Sequence, residues 1–125
     1  MAPIRQTRRT QLWLASLAAA FIVTHLPPRA VPSHPGVSDW ILHACGYCAL
    51  GLATAWRLEN RPATLASRRW LGWLAFLLIY AIVDELSQPL VGRSNEMSDW
   101  LADVCGAAFG MMAGQRFWGR PIVGP

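Results

Sequence analysis

The chain has 125 residues, of which 54% are hydrophobic and 14% are charged, whereas about 25% of the residues in a soluble globular domain are charged. One domain typically has about 100 to 200 residues, so we expect a single compact unit. The low charge content argues against a soluble domain and favours a small membrane domain. All eleven basic residues are Arg and lie between apolar runs, so nucleic acid is a poor candidate partner.

Four apolar stretches approach the roughly 20 residues that a helix needs to cross the hydrocarbon core of a bilayer. They run from Gln11 to Leu26, from Asp39 to Leu58, from Arg69 to Leu90 and from Met97 to Trp118. The sequence therefore predicts an all-α, four-transmembrane-helix bundle over residues 11–118. A basic cytoplasmic N-terminus is expected at residues 1–10 and a cytoplasmic tail at residues 119–125.

The positions of the Arg residues indicate an orientation. Nine of the eleven lie at the N-terminus, around the second connection or at the C-terminus, and only Arg29 and Arg93 lie in the other two connections. Cytoplasmic loops carry the excess of Lys and Arg. Both termini are therefore expected in the cytoplasm, in a multi-pass protein of the cell inner (plasma) membrane. All seven Trp residues are expected to anchor helix ends at the membrane interfaces.

The first stretch has a second interpretation. Arg5, Arg8 and Arg9, followed by the apolar run from Leu12 to Val23, also resemble the basic and apolar regions of a signal peptide. No clean small-x-small cleavage site follows Val23. A retained helix is the favoured interpretation.

The acidic residues are the main functional signal. Six of the seven fall on the half opposite the Arg-rich side, together with His25, His34 and His43. A carboxylate at the centre of a membrane helix costs about 2.5 to 3.5 kcal/mol on insertion scales, so such residues need partners or a wet cavity. The acidic residues on this outer half are Asp39, Asp84, Glu85, Glu96, Asp99 and Asp103.

Polar residues four apart lie on one helix face, and such rows occur in the second, third and fourth stretches. The candidate functional cluster consists of His43, Tyr47, Asp84, Glu85, Gln88, Arg93, Asp99 and Asp103. The competing interpretation is a structural network between helices, in which Arg93 neutralises one acid. Clustered carboxylates beside a histidine suit acid/base chemistry or a hard divalent cation. Spacing alone specifies neither, so no metal ligand is assigned, and catalytic residues and cofactor are left open.

A stripe of small residues runs along the fourth stretch. Gly106, Gly110 and Gly114 continue a four-residue repeat that begins at Ala102. Such a small-xxx-small face lets a neighbouring backbone approach closely. The neighbour is either another helix of the same chain or a second copy of it, which would make a homo-oligomer.

These motifs together resemble a known family. The second stretch reads Asp39-x3-His43-x3-Tyr47-x2-Leu50-Gly51, and the third reads Tyr80-x3-Asp84-Glu85-Leu86-x-Gln88, followed by Arg93, Asp99, Asp103, Gly106 and Gly110. This ordered set resembles the VanZ-like family of small integral membrane proteins over roughly Asp39 to Gly114. The namesake of that family is linked to reduced susceptibility to the glycopeptide teicoplanin, and its molecular activity is not established. Trp40 replaces a usual Lys and Asp103 a usual Asn, so this cluster is more acidic than the family pattern.

The functional expectation has two main forms. In the first, an envelope protein of antibiotic-resistance type alters teicoplanin susceptibility by binding a lipid-linked, cell-wall or drug ligand, with Arg93 holding an anionic headgroup. In the second, a membrane-embedded enzyme acts on a lipid or isoprenoid headgroup, with Glu85 or Asp99 as general base or metal ligand and His43 as proton shuttle. A channel or transporter subunit is a third form, but the cytoplasmic half of the helices lacks a continuous polar path.

Overall fold

A computed structural model of the chain describes residues 2–30, 38–58 and 68–118. Within these ranges the chain forms four α-helices and no strand, which confirms the all-α prediction. The helices are α1 (Ala2–Thr24), α2 (Asp39–Leu58), α3 (Arg68–Ser87) and α4 (Met97–Trp118), and short 3₁₀ turns cover Pro28–Ala30 and Gln88–Val91. The expectations for His34, for the second connection and for the tail at residues 119–125 lie outside the described residues.

The helix ends follow the sequence closely, with corrections in α1 and α3. Helices α2 and α4 have the predicted bounds, whereas α1 begins at Ala2 rather than at Gln11. The apolar run marks only the part of a helix that suits a membrane, and the Arg residues before it are good helix formers. Helix α3 ends at Ser87 rather than at the predicted Leu90, and a 3₁₀ turn begins at Gln88. Pro89 explains this end, because a proline disfavours helical geometry in the residue before it.

The most extensive contact in the bundle is between α2 and α4. A methyl group on Gly106 would overlap the backbone carbonyl of Ala44, and one on Gly110 would overlap that of Cys48. The glycine stripe therefore brings the two backbones together, and we call this contact the α2–α4 seam. Of the two neighbours that the sequence left open, this structure uses a helix of the same chain. A second copy would have to displace α2 to reach these glycines.

Helix α1 completes the core beside this seam. Trp13 is 5% exposed, and its indole Nε1 donates a hydrogen bond of 2.9 Å to Thr54 Oγ1. Tyr80 of α3 donates a hydrogen bond of 2.7 Å to the carbonyl oxygen of Leu17. Trp13 and Trp70 belong to the buried core, so these two indoles pack against other helices of the chain. Neighbouring helices, and not the helix ends alone, decide where an indole is buried.

Large apolar side chains lie on the outside of all four helices. Examples are Leu12 in α1, Leu42 in α2, Ile79 in α3 and Phe109 in α4, each at least half exposed. Among the described residues, one helical segment, Arg68–Val91, is both long and apolar enough to cross a membrane. Only 28% of the most apolar part of this segment is buried inside the bundle, so most of it faces outward.

Candidate functional site

The candidate site lies at the end of the bundle where α1 and α3 end and α2 and α4 begin. Because the helices alternate in direction, these four termini meet there and bring distant polar residues together. We call this cluster the acidic pocket. Its buried members are His43, Asp84, Glu85, Gln88, Asp99 and Asp103.

His43 is the centre of the acidic pocket. Its Nδ1 lies 2.9 Å from Asp103 Oδ1 and 3.6 Å from Glu85 Oε1. Its Nε2 lies 4.0 Å from Asp99 Oδ2. Asp99 and Asp103 are four residues apart on α4, so both face α2. One imidazole is therefore surrounded by three carboxylates from two other helices.

Glu85 joins α3 to the start of α4. Its Oε2 accepts a hydrogen bond of 3.2 Å from the backbone N–H of Glu96, directly before α4 begins. Its Oε1 accepts a bond of 3.3 Å from Gln88 Nε2. The N-terminus of a helix presents unpaired N–H groups and a partial positive charge. Glu85 therefore caps α4 from a neighbouring helix and stays oriented toward His43.

The end of helix α1 and the residue after it supply two site residues that the sequence did not assign. Thr24 Oγ1 donates a hydrogen bond of 2.7 Å to Asp84 Oδ1, and His25 Nδ1 lies 3.5 Å from the same oxygen. The Nε2 of His25 is 2.8 Å from Ser87 Oγ. The location of His25 on the acidic half was a signal in the sequence, but no spacing related Thr24 or His25 to the third helix.

Arg93 lies at the mouth of the pocket. Gly92, with a φ of 79°, adopts the left-handed conformation that glycine accommodates readily, and the chain turns there between α3 and α4. Arg93 then reaches Asp39 Oδ2 at 2.6 Å and the carbonyl oxygen of Thr24 at 3.3 Å. Its guanidinium is thus committed to α1 and α2. This differs from the expectation that Arg93 is available for an anionic headgroup.

Several buried oxygens of this region have no hydrogen-bond partner among the described residues. A buried polar group left without a partner costs about 1 to 3 kcal/mol, so these atoms are the ones that a ligand or a buried water would satisfy. Tyr47, one helical turn below His43, lies close enough to Asp84, Asp103 and Glu85 to interact with their charges. The unpaired atoms are Tyr47 OH, Asp84 Oδ2, Gln88 Oε1 and Asp103 Oδ2.

The structure thus brings seven of the eight predicted site residues to one buried region and places Arg93 above it. Chemically, the region is rich in hydrogen-bond acceptors and negative charge, and His43 can accept or donate a proton. The class that fold and site define is an all-α bundle with a buried acidic pocket at one end. Comparison with family models, with curated proteins and with solved structures gives no match. The resemblance to the VanZ-like family stays a prediction from the motifs.

Proposed function

We propose that this chain is a four-span protein of the inner membrane whose acidic pocket opens on the extracytoplasmic side. There it binds the cationic or hydroxylated part of a lipid-linked, cell-wall or drug ligand. Binding changes the susceptibility of the cell to teicoplanin-type glycopeptides. This role combines what the VanZ-like motifs imply about function with the acidic character of the pocket.

Two features of the surface support a membrane location. Exposed large apolar side chains occur on every helix, and soluble monomers rarely expose extensive apolar surface. The charges are also divided between the two ends, with Arg9, Arg57 and Arg116 at one end and the acidic pocket at the other. Because Arg-rich ends stay in the cytoplasm, the acidic pocket belongs on the outer side.

The observation that carries the proposed ligand class is the excess of acceptors in the acidic pocket. Asp84 and Asp103 are 1% and 0% exposed, and one oxygen of each has no hydrogen-bond partner among the described residues. A ligand that offers positive charge or hydroxyl donors complements these oxygens. An anionic headgroup does not, because it would bring further negative charge to these oxygens.

One contact favours the enzymatic alternative. Asp103 and His43 Nδ1 are 2.9 Å apart, and a carboxylate in this position orients an imidazole for proton transfer through its other nitrogen. In that case His43 would move a proton to or from a headgroup, with Glu85 or Asp99 close to the reacting atoms. A series of expression levels separates the two functions. A binder protects in proportion to its copy number, whereas a catalyst protects fully at low copy number.

Teicoplanin susceptibility of a host that expresses the protein tests the proposal. Wild type is compared with Glu85→Gln and Asp99→Asn at matched membrane levels, and Glu96→Gln serves as a control because its side chain is on the exposed rim. We expect wild type and the control to change susceptibility and the two pocket variants to lose the effect. No effect of wild type would refute the glycopeptide role, and equal effects of all variants would refute the pocket.

Cysteine labelling tests the topology separately. In a background with Cys45, Cys48 and Cys105 replaced by Ala, single Ser94→Cys and Arg5→Cys variants are treated with a membrane-impermeant maleimide. We expect labelling of the Ser94→Cys protein in intact cells and of the Arg5→Cys protein only after permeabilisation. Labelling of the Arg5→Cys protein in intact cells would contradict the proposed orientation.

A further inference from the structure

We propose that the inner part of the acidic pocket binds one divalent transition-metal cation through His43 Nδ1, Glu85 Oε1 and Asp103 Oδ1. This site goes beyond the ligand role proposed above and does not depend on it. It is also a more specific assignment than the sequence allowed, since spacing left the ligand class open.

The distances between the three donor atoms suit a small metal ion. His43 Nδ1 is 2.9 Å from Asp103 Oδ1 and 3.6 Å from Glu85 Oε1, and all three donor atoms lie within 4.8 Å of one another. Metal–ligand distances of about 2.0 to 2.2 Å place neighbouring ligand atoms roughly 3 to 3.5 Å apart. Small side-chain movements are therefore enough to centre an ion between them.

The negative charge of the pocket favours binding of a cation. Glu85, Asp99 and Asp103 surround one imidazole in a buried region, and Asp84 lies close enough to Asp103 for their charges to interact. Removing a carboxylate from water costs several kcal/mol unless a compensating charge is near. The ion pair of Arg93 is made with Asp39, which is exposed at the mouth. A divalent cation compensates the buried carboxylates at the position where they converge.

Two neutral side chains give an independent indication of a ligand. Tyr47 and Gln88 are 2% and 0% exposed, yet Tyr47 OH and Gln88 Oε1 have no hydrogen-bond partner among the described residues. The carboxamide of Gln88 bonds Glu85 Oε1 through its Nε2, so its unpaired oxygen belongs to a group already attached to a proposed metal ligand. Such oxygens can complete the coordination of the ion directly or through a bound water.

The ion could lie beside either ring nitrogen of His43, and the surroundings of the two nitrogens differ. On the Nε2 side, Asp39 and Asp99 also lie near the imidazole, but Asp39 is exposed and paired with Arg93. On the Nδ1 side all three donors are buried. Metal-binding histidines commonly direct their second ring nitrogen at a carboxylate that orients them. Asp99 Oδ2 lies 4.0 Å from Nε2, a small movement away from that position, so we assign the ion to the Nδ1 side, where the donors are buried.

The donor set indicates the class of metal. One imidazole nitrogen and carboxylate oxygens, without a thiolate, suit Mn²⁺, Fe²⁺ or Zn²⁺ better than soft ions such as Cu⁺. Mn²⁺ is the most informative probe because it is paramagnetic. Coupling of its electron spin to ¹⁴N in pulsed electron paramagnetic resonance reports a directly bound imidazole.

The test uses the full chain, purified in detergent, stripped with a chelator and titrated with Mn²⁺. We expect one tightly bound Mn²⁺ per chain and a ¹⁴N coupling that is absent in His43→Gln. Failure of the wild type to bind stoichiometric Mn²⁺, or binding without ¹⁴N coupling, would overturn the proposal. The wild-type result stands even where a variant does not fold.

Variants locate the ion. Glu85→Gln and Asp103→Asn are expected to weaken Mn²⁺ binding more than tenfold, because even the loss of a group that only orients a metal ligand commonly costs about 10- to 100-fold in affinity. Asp39→Asn should leave it within about twofold. Circular dichroism and gel filtration check that each variant keeps its helices and stays monodisperse. A loss with Asp39→Asn as large as with Glu85→Gln would move the ion to the Nε2 side and overturn this assignment. Susceptibility is scored separately from Mn²⁺ binding, so either proposal can fail alone.

Discussion

The two ends of the bundle handle charge in opposite ways. At the basic end, the guanidinium of Arg57 lies 4.8 Å from the ring of Trp13 and 4.7 Å from that of Trp73. Arg9 lies 5.0 Å from the ring of Trp56 and donates a hydrogen bond to its carbonyl oxygen. At the acidic end, by contrast, carboxylates surround His43, and some of their oxygens have no hydrogen-bond partner in the described part of the chain.

This difference separates stabilising residues from functional ones. Aromatic faces attract cations, so the basic end compensates its charges with groups of the same chain. In the acidic pocket the compensation is incomplete among the described residues. Buried ionisable residues within membrane helices are functional candidates by default. The basic end therefore contributes to the stability of the bundle, and the acidic end is where we propose that an external ligand binds.

The largest expected effect breaks the α2–α4 seam that supports both ends. Gly110→Leu places a side chain against the carbonyl of Cys48, and overpacking against backbone should cost more than about 3 kcal/mol. Gly46→Leu is the matched control, because a Cβ at Gly46 meets nothing within 4 Å. Thermal unfolding in detergent measures both. Equal stability of the two variants would show that the seam is not closely packed.

At the acidic end, Thr24→Val removes the hydroxyl that donates to Asp84 while nearly keeping the side-chain shape. We expect a loss of about 1 to 3 kcal/mol, because a buried carboxylate loses a donor. Thr24→Ser, which keeps the hydroxyl, should lose much less. Denaturant titration of the purified protein measures the free energy of unfolding. A Val variant as stable as wild type would mean that α1 does not support the pocket.

At the basic end, Arg57→Ala removes the cation between Trp13 and Trp73. Two cation–π contacts predict a loss of about 1 to 2 kcal/mol, with Arg57→Lys retaining part of it. Mn²⁺ affinity and teicoplanin susceptibility should stay unchanged at matched protein levels. A change in Mn²⁺ affinity in the folded variant would contradict the division between the two ends.

The smallest effect on stability is expected at the mouth. Arg93→Gln removes an ion pair with Asp39, whose side chain is 49% exposed, and such pairs contribute less than about 1 kcal/mol. Without this contact across the mouth, Mn²⁺ should enter and leave the pocket faster. Stopped-flow removal of Mn²⁺ by a chelator measures the release rate. Unchanged release in Arg93→Gln would show that Arg93 does not restrict access.

Much of this arrangement could be predicted from local patterns. The polar rows of the second, third and fourth stretches identified His43, Asp84 and Asp103 because helical periodicity puts such residues on one face. The glycine stripe predicted a close backbone contact. In each case the signal is contained within a single predicted helix.

The remaining features depend on tertiary arrangement. Thr24 and Asp84 are 60 residues apart, and nothing near Thr24 in the sequence indicates that contact. A small-residue face likewise predicts close approach without naming the neighbour, and here the neighbour is α2. Arg93 was predicted to neutralise an acid, but only the turn at Gly92 shows that the acid it contacts is Asp39.

The α2–α4 seam also determines which parts of the pocket can move. Backbone in contact with backbone leaves few side chains to rearrange, so we expect α2 and α4 to behave as one rigid plate that carries His43 and Asp103. Helices α1 and α3 meet that plate mainly through side chains, and they carry Thr24, Asp84 and Glu85. We therefore expect any opening of the pocket to displace α1 and α3 sideways. Any cation held between Glu85 and His43 would fasten the moving half to the fixed half.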